Sequence, residues 1–209
     1  MLDFPVENLG AEDVERLRAI YEPLTVAVRE LVDATIRTEA DAEAVATARA
    51  EIEAATVRLR SRQLDGPFGV RFGSDGSQMP WGNAVIGLRN PLAPPVSLRP
   101  LPGGGRQADF HLGAAYEGPP GHVHGGVAAL ILDHVLGEAA CASAFDKPRL
   151  TGTITLRYRR ITRLGDLHAE AAIVRTEGVK TFTAGHLSDA DGITVEAEGV
   201  FIAPRWARD

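Results

Sequence analysis

One segment, residues 124–142, constrains the fold more than any other part of the chain. Its centre, Val127-Ala128-Ala129-Leu130-Ile131-Leu132, is apolar nearly all round, and Val135-Leu136 continues it. A helix that is apolar on every side must be buried by other elements. Four β-rich runs follow it in the chain, at residues 150–161, 166–175, 181–189 and 193–203. We therefore predict a long buried helix between strands of an antiparallel sheet, in the α+β class.

The strand prediction depends on alternation and on turn residues. Along residues 153–160, side chains change character with a period close to two. Turns with glycine or aspartate separate the runs at residues 163–166, 177–178 and 191–192. Short strands are also expected at 84–88 and 96–101, and Gly103-Gly104-Gly105 is predicted to turn the chain into a strand over 106–115.

Residues 11–63 have the periodicity of helices. The first half carries an apolar stripe at steps of three and four: Val14, Leu17, Tyr21, Leu24, Val28 and Leu31. Pro23 interrupts the stripe, which predicts a kink or a new helix start. Thr38 to Asp41 has capping-box spacing. A second helix is expected over 41–62, facing inward through Val45, Ala48, Ile52, Ala55 and Leu59. We interpret the pair as a packing or dimerisation extension rather than a coiled coil, because the stripe is short and alanine-rich.

Charge and composition divide the chain into three parts. Residues 1–65 carry 8 Arg or Lys and 14 Asp or Glu, whereas residues 66–209 carry 14 of each. We predict an acidic helical extension at 1–65, a Gly/Pro-rich connector at 66–84 and a folded domain at 85–209. Without a basic face, binding to nucleic acid or an anionic membrane is not expected. One cysteine and no apolar leader or span favour a cytoplasmic protein.

The start of the apolar helix has the features of a reaction site. Gly125 and Gly126 would open the helix, where free N–H groups and the helix dipole can stabilise a developing oxyanion. Asp133 lies in the middle of the same apolar helix, and a carboxylate there needs a partner or a chemical role. It follows Gly126 by about two turns, roughly 10 Å along the axis, too far for both to act on one carbonyl. Two antiparallel copies of the helix would bring them together, so we predict an obligate dimer with composite sites.

These residues together resemble a known family. His124-Gly125-Gly126, with Asp133 nine positions after the histidine, resembles the hot-dog fold acyl-CoA thioesterases, most of all the PaaI-like group. The likeness covers about residues 85–204 and is densest over Tyr116–Gly137 and Thr151–Tyr158. Glu117-Gly118-Pro119-Pro120-Gly121 is similar to the thioesterase superfamily member 4 type. The resemblance implies a hydrolase that cleaves an acyl-CoA thioester, as a homodimer or a dimer of dimers. The excess of arginine over lysine, with Lys147 and Lys180 the only lysines, favours a bacterial source.

The resemblance also implies roles for single residues. Asp133 would be the general base or the nucleophile, and the Gly125 N–H would polarise the thioester carbonyl, with Gly126 beside it. His124 would orient this loop or assist the carbonyl. Thr151 would position the attacking water. Some family members have an asparagine at the position of Gly118, so His122 or a water would have to supply the second oxyanion donor.

Arg157, Arg159, Arg160 and Arg163 could contact the phosphates of CoA, or form a solvated strand edge. No cofactor is expected beyond the CoA of the substrate. A metal site at His122, His124, Asp133 and His134 is disfavoured because His134 points about 100° away from Asp133 on the helix. A nucleophilic Cys141 is disfavoured because no base accompanies it. The alternatives are a structural Asp133, a non-catalytic acyl-CoA sensor, and a hot-dog dehydratase or hydratase.

Overall fold

The computed structural model describes residues 5–102, 104–141 and 148–207. These residues form two compact units. The helical unit comprises the described part of Phe4–Asn83 together with Gly87–Pro91, and the sheet unit comprises Ala84–Ile86 together with the described part of Leu92–Asp209. None of the helices in these ranges is long and apolar enough to cross a membrane.

The helical unit begins with helix α1, Ala11–Arg37, which continues through Pro23. The predicted new helix start at Pro23 is therefore wrong. A proline inside a helix removes one backbone donor. In a helix of 27 residues, the hydrogen bonds on both sides of that gap keep the backbone helical.

Helix α2, Ala42–Arg60, differs from the predicted second helix in its cap and in its burial. Its N-cap is Asp41, whose carboxylate accepts a hydrogen bond from the Ala44 amide at 2.9 Å. The predicted capping box is wrong, because Thr38 ends α1 and its Oγ1 accepts from the amide two residues further on, at 3.1 Å. The predicted inward face is also wrong: no α2 residue is buried, and Leu59 is 54% exposed. None of the residues that the structure describes buries this face.

A short antiparallel ribbon completes the helical unit. Strand β1, Arg71–Phe72, pairs with strand β2, Gln78–Met79. The strand predicted over residues 84–88 is wrong, because these residues lie in successive turns. The Gly87 amide donates to the Asn83 carbonyl at 3.1 Å, which closes the backbone into a turn and leaves no extended stretch for pairing.

The sheet unit has one long helix and six strands within the described residues. In chain order they are β3 Arg99–Pro100, β4 Arg106–Leu112, α3 Gly125–Ala140, β5 Leu150–Tyr158, β6 Gly165–Glu177, β7 Lys180–Asp189 and β8 Gly192–Ile202. All pairs are antiparallel, and the strands lie in the order β3-β4-β6-β7-β8-β5. The four predicted runs after Pro148 correspond to β5–β8. The α+β class and the hot-dog arrangement of a helix against an antiparallel sheet are confirmed.

The predictions before α3 are less accurate. The strand predicted at 96–101 shrinks to two residues, because prolines at 94, 95, 100 and 102 have no N–H to donate to a ladder. The strand predicted over 106–115 ends at Leu112 and gives way to a 3₁₀ turn. Gly104 and Gly105, with φ of 106° and 104°, form the predicted turn between β3 and β4. Gly103 lies outside the described residues, as does the predicted last helical residue, Ala142.

Helix α3 forms the centre of the core of the sheet unit. Ile131, Leu132, Val135 and Leu136 are fully buried against the sheet. One face of α3 is nevertheless open within a single chain: Gly126 and Leu130 are exposed and Asp133 is half-buried. The expectation of a helix buried on every side is therefore wrong for this face.

A partly buried ion pair connects the end of β7 with the segment that follows β5. Arg160 donates through both terminal nitrogens to Asp189, whose side chain is 6% exposed, and also donates to the Gly192 carbonyl at 2.7 Å. The Asp191 amide donates to the same carboxylate at 2.9 Å. The Arg160 hydrogen bonds, outweighing the opposing effect of burial, lower the pKa of Asp189 to about 2.

Candidate active site

The N-terminus of α3 has one amide that is free to bind a ligand. His124 is the N-cap, and its Nδ1 accepts a hydrogen bond from the Gly126 amide at 3.0 Å. The amides of Val127 and Ala128 donate to the His124 carbonyl at 2.9 and 3.2 Å. Of the four amides in the first turn, only that of Gly125 has no acceptor among the residues that the structure describes. A free N–H at the positive end of a helix is suited to an anionic oxygen.

Tyr158 fixes this turn from the sheet side, which the sequence analysis did not predict. Its hydroxyl donates to the Gly125 carbonyl at 2.8 Å. Its ring atoms lie 3.5–3.6 Å from the position that a Cβ on Gly125 would take. The signal was present in the alternation of β5, because Tyr158 is an even number of residues after Ile154 and Leu156, which pack against the core beside α3. We call His124, Gly125 and Tyr158 the donor half-site.

Gly118 lies against the backbone of the donor half-site. A Cβ at Gly118 would be 2.7 Å from the Cα of His124 and 3.2 Å from its amide nitrogen. No side chain fits there, so this position provides no second oxyanion donor. The ring of His122 is held by its own loop, since Nδ1 donates to the Pro120 carbonyl at 2.8 Å.

Asp133 and Thr151 form a second pair, which we call the acid half-site. Thr151 Oγ1 donates to Asp133 Oδ1 at 3.0 Å, from β5 to the open face of α3. In the sequence, only the family resemblance links these two residues. The structure brings their oxygens into direct contact.

A bulge in β5 is what turns Thr151 toward α3. The pairing of β5 with β8 shifts register between Thr151 and Thr153, so Gly152 is an extra residue. Thr151 and Ile154 are three residues apart and would otherwise point to opposite faces. The bulge restores the parity, and both now face α3. A Cβ on Gly152 would lie 2.7 Å from Ile202 Cδ1, so glycine suits the tight approach. A glycine inside a predicted strand was the available signal.

The two half-sites do not meet within one chain. Gly125 and Asp133 are eight residues apart on the same helix, which corresponds to about 12 Å along its axis. A single chain therefore presents a polarising amide and a hydrogen-bonded carboxylate at separate places on the open face of α3.

The arginines predicted to bind CoA have different surroundings. Arg159 donates twice to Glu196, at 3.0 and 2.6 Å, while Arg160 and Arg163 pair with Asp189 and Asp191. Arg157 has no ion pair within the described residues, and strand alternation places it on the face opposite Tyr158.

The other candidate groups have environments that disfavour chemistry. Burial raises the pKa of the Cys141 thiol, which lowers its thiolate fraction at neutral pH. Burial also lowers the pKa of His134, against the opposing effect of Glu138 and Asp133. Across residues 5–102, 104–141 and 148–207, no three His, Cys, Asp or Glu side chains converge as metal ligands.

Comparison with known proteins points to one superfamily. The family model of the thioesterase superfamily matches residues 120–196. A thioesterase superfamily protein of known crystal structure is 35% identical, and the alignment covers 87% of this chain and 94% of that one with a TM-score of 0.75.

More distant structures share about half of the chain. A putative thioesterase from Ralstonia eutropha, described as related to phenylacetic acid degradation, is 22% identical, covering 52% of this chain and 85% of its own at a TM-score of 0.49. A Bacillus halodurans protein crystallised with CoA is 21% identical, covering 53% of this chain and 75% of its own, also at 0.49. No curated protein sequence matches the chain.

Proposed function

Because this chain belongs to the thioesterase superfamily, we propose that it hydrolyses an acyl-CoA thioester to a free acid and CoA. A thioester is an activated acyl group, so its hydrolysis needs a positioned water, a base and polarisation of the carbonyl. The observation that carries the proposal is the hydrogen bond of 3.0 Å from Thr151 to Asp133. Asp133 lies on the same helix as Gly125, whose amide has no acceptor among the described residues.

In the proposed reaction, the donor half-site binds the thioester oxygen. The Gly125 N–H donates to the carbonyl oxygen and to the oxyanion that develops from it. His124 supplies the second donor that Gly118 does not. Because its Nδ1 accepts from Gly126, a neutral His124 ring carries its proton on Nε2 and can donate it.

The acid half-site activates the water. Thr151 donates its hydroxyl hydrogen to Asp133, so its oxygen can accept a hydrogen bond from a water that donates its other hydrogen to Asp133 Oδ2. The water oxygen bonds to the carbonyl carbon while Asp133 takes the proton. The C–S bond then breaks, and Asp133 returns the proton to the departing CoA sulfur. Direct attack by Asp133, through an anhydride that water opens, uses the same residues.

We further propose that the site is composite. The thioester carbon has to lie about 3 Å from the attacking oxygen, while its carbonyl oxygen lies about 3 Å from the oxyanion donors. Two chains related by a two-fold axis, with α3 antiparallel, would place the donor half-site of one against the acid half-site of the other. The open face of α3 and the unpaired edge of β5 are available for such an interface.

The proposal also covers the rest of the substrate and the compartment. Arg157 is available for a phosphate of CoA, whereas Arg159 would first have to leave Glu196. A single cysteine, with its thiol half-buried, suits the reducing cytoplasm. Acetyl, palmitoyl and phenylacetyl chains sample the range of size and shape that the acyl group can have.

Release of CoA thiol from these three acyl-CoAs tests the activity. Asp133→Ala is expected to lower kcat by about 10²-fold or more while substrate binding is retained, because the general base is lost. Glu138→Gln, a carboxylate change on the same helix outside both half-sites, serves as the control and should retain turnover. Wild-type protein that binds these substrates without releasing thiol would instead favour the sensor. Equal rates for wild type and Asp133→Ala would contradict the assigned role.

A further inference from the structure

The helical unit contains a cavity with an unusual charge. Its volume is about 870 Å³, and it lies between the middle of α1, the end of α2 and the segments at 61–68 and 82–90. Among the described residues, three arginines line it, Arg58, Arg62 and Arg89, and no Asp or Glu does. Residues 1–65, which form most of this unit, carry more acidic than basic side chains. The charged residues that line the cavity therefore have the opposite sign to the net charge of the segment around it.

Of the residues that line this cavity, Arg89 has the surroundings that most favour an anion. Its guanidinium carbon lies 3.7 Å from the ring centroid of Tyr21 and 5.0 Å from that of Phe68, so the aromatic rings hold the group in place. Arg89 is half-buried, and its side chain has no hydrogen-bond acceptor or carboxylate partner among the described residues. Withdrawing a guanidinium from water without an acceptor is costly, whereas an anion would satisfy its rigid fork of donors.

The neighbouring Arg71 provides an internal comparison. It lies over the same Phe68 ring, at 4.7 Å, but it is paired with Glu7. Glu7 also lines the adjoining cavity near Arg89 and is already engaged there by Arg71. Two arginines therefore contact one aromatic ring, and among the described residues only Arg71 forms an ion pair with a carboxylate.

The remaining lining gives the cavity two chemical sides. Arg58 lies in the last turn of α2 and Arg62 lies two residues beyond its end, and both line this cavity. Neither has an ion pair within the described residues. Leu24, Leu59 and Leu64 supply apolar surface in the same cavity and are 39%, 54% and 48% exposed.

We propose that this cavity binds an amphiphilic anion. The carboxylate or phosphate head would take the free edge of Arg89 with Arg58 and Arg62, and the apolar body would cover Leu24, Leu59 and Leu64. The inference is separate from the proposed hydrolysis, because it involves neither half-site and needs no turnover.

Calorimetric titration of the full chain tests the proposal with four probes: decanoate, decyl phosphate, inorganic phosphate and decanol. We expect saturable binding of decanoate or decyl phosphate, and the tighter of the two identifies the head group. Decanol, which lacks the charge, and inorganic phosphate, which lacks the apolar body, should each bind at least about tenfold more weakly.

Arginine variants locate the binding. Arg89→Gln should weaken the tighter probe by about tenfold or more, since it removes a charge-assisted fork. Arg49→Gln is the matched control, because Arg49 lies on α2 in an exposed pair with Glu53 and outside the cavity. If Arg89→Gln fails to fold, Arg62→Gln is tested instead, because Arg62 is exposed and its substitution should not disturb folding. This variant should weaken binding of the tighter probe by about threefold or more. Absence of saturable binding, or equal Kd values for the cavity variant and the control, would overturn the proposal.

Discussion

Gly125 and Gly126 share one peptide group that is held at both ends. Tyr158 donates to its carbonyl oxygen at 2.8 Å, and its N–H donates to His124 Nδ1 at 3.0 Å. The preceding peptide group carries the Gly125 N–H, and its carbonyl, that of His124, accepts from the Val127 and Ala128 amides at 2.9 and 3.2 Å. With the peptide groups on both sides of Gly125 held, its N–H keeps one direction without an acceptor among the described residues. Such pre-orientation makes an oxyanion donor effective, because no reorganisation is needed when charge develops.

Removing the Tyr158 hydroxyl should therefore affect the chemical step more than binding. Tyr158→Phe keeps the ring against Gly125 and is expected to lower kcat by about threefold to tenfold with KM nearly unchanged. Steady-state kinetics with a turned-over acyl-CoA measure both constants. Tyr116→Phe is the control, since Tyr116 also donates to a backbone carbonyl, that of Ala93, at 3.1 Å. Equal kcat values for the two variants would mean that Tyr158 has only a structural role.

Sequence reasoning identified the groups that carry a motif and missed those that depend on strand register. Asp133 and Thr151 were predicted by resemblance, and the N-terminal turn by its glycines. Tyr158 served only as a marker of position, although it contacts Gly125. The direction of Thr151 follows from the bulge at Gly152, and a single glycine inside a strand does not reveal which side chain it redirects.

At the scale of elements, the predictions succeed where local pattern and tertiary packing agree. Strands β5–β8 alternate and end at glycine turns, so their positions were predictable. Pro23 was expected to kink the helix or to start a new one, and the new start is wrong because the long α1 tolerates one missing hydrogen bond. The strand predicted at 84–88 is replaced by turns, and the strand predicted at 96–101 is reduced to Arg99–Pro100, because turns and prolines leave few N–H groups free for pairing.

The ion pair between Arg160 and Asp189 should make stability depend on acid pH. The pKa of Asp189 is about 2 when folded, below the value near 3.9 of an unfolded aspartate. The ionised Asp189 therefore contributes about 2 kcal/mol to the free energy of unfolding. This contribution is full above about pH 4, half lost by about pH 3 and lost below about pH 2. Urea unfolding at pH 5, 4 and 3 measures this loss. Asp189→Asn should flatten it relative to wild type, while Asp191→Asn, at an exposed pair with Arg163, should not.

At the scale of the whole molecule, the separation of the half-sites makes the proposed composite site testable. If each site takes its amide from one chain and its carboxylate from another, inactive variants should complement each other. Gly125→Pro removes the N–H that has no acceptor among the described residues, and proline is tolerated at the first helical position. The preceding His124, at φ −62° and ψ 132°, already has the conformation that a proline requires of its neighbour.

Mixing Gly125→Pro chains with Asp133→Ala chains should restore about a quarter of wild-type activity. Half of the re-formed dimers are then mixed, and each mixed dimer has one intact site of two. The measurement is thiol release after the variants are unfolded together and refolded. Each variant refolded alone is the control. A mixture no more active than its components would show that both half-sites act within one chain.

Helix α2 is exposed along nearly its whole length, and this exposure determines how fast its amide protons exchange with solvent. None of its 19 residues is buried, and a helix of that length has little intrinsic stability in water without tertiary packing. Its amide protons should therefore exchange with solvent through local fraying, well before the core opens. Any molecule that covers α2, including a second copy of the chain, would slow that exchange. The helix is thus a natural reporter of association, readable without a label and without knowledge of the substrate.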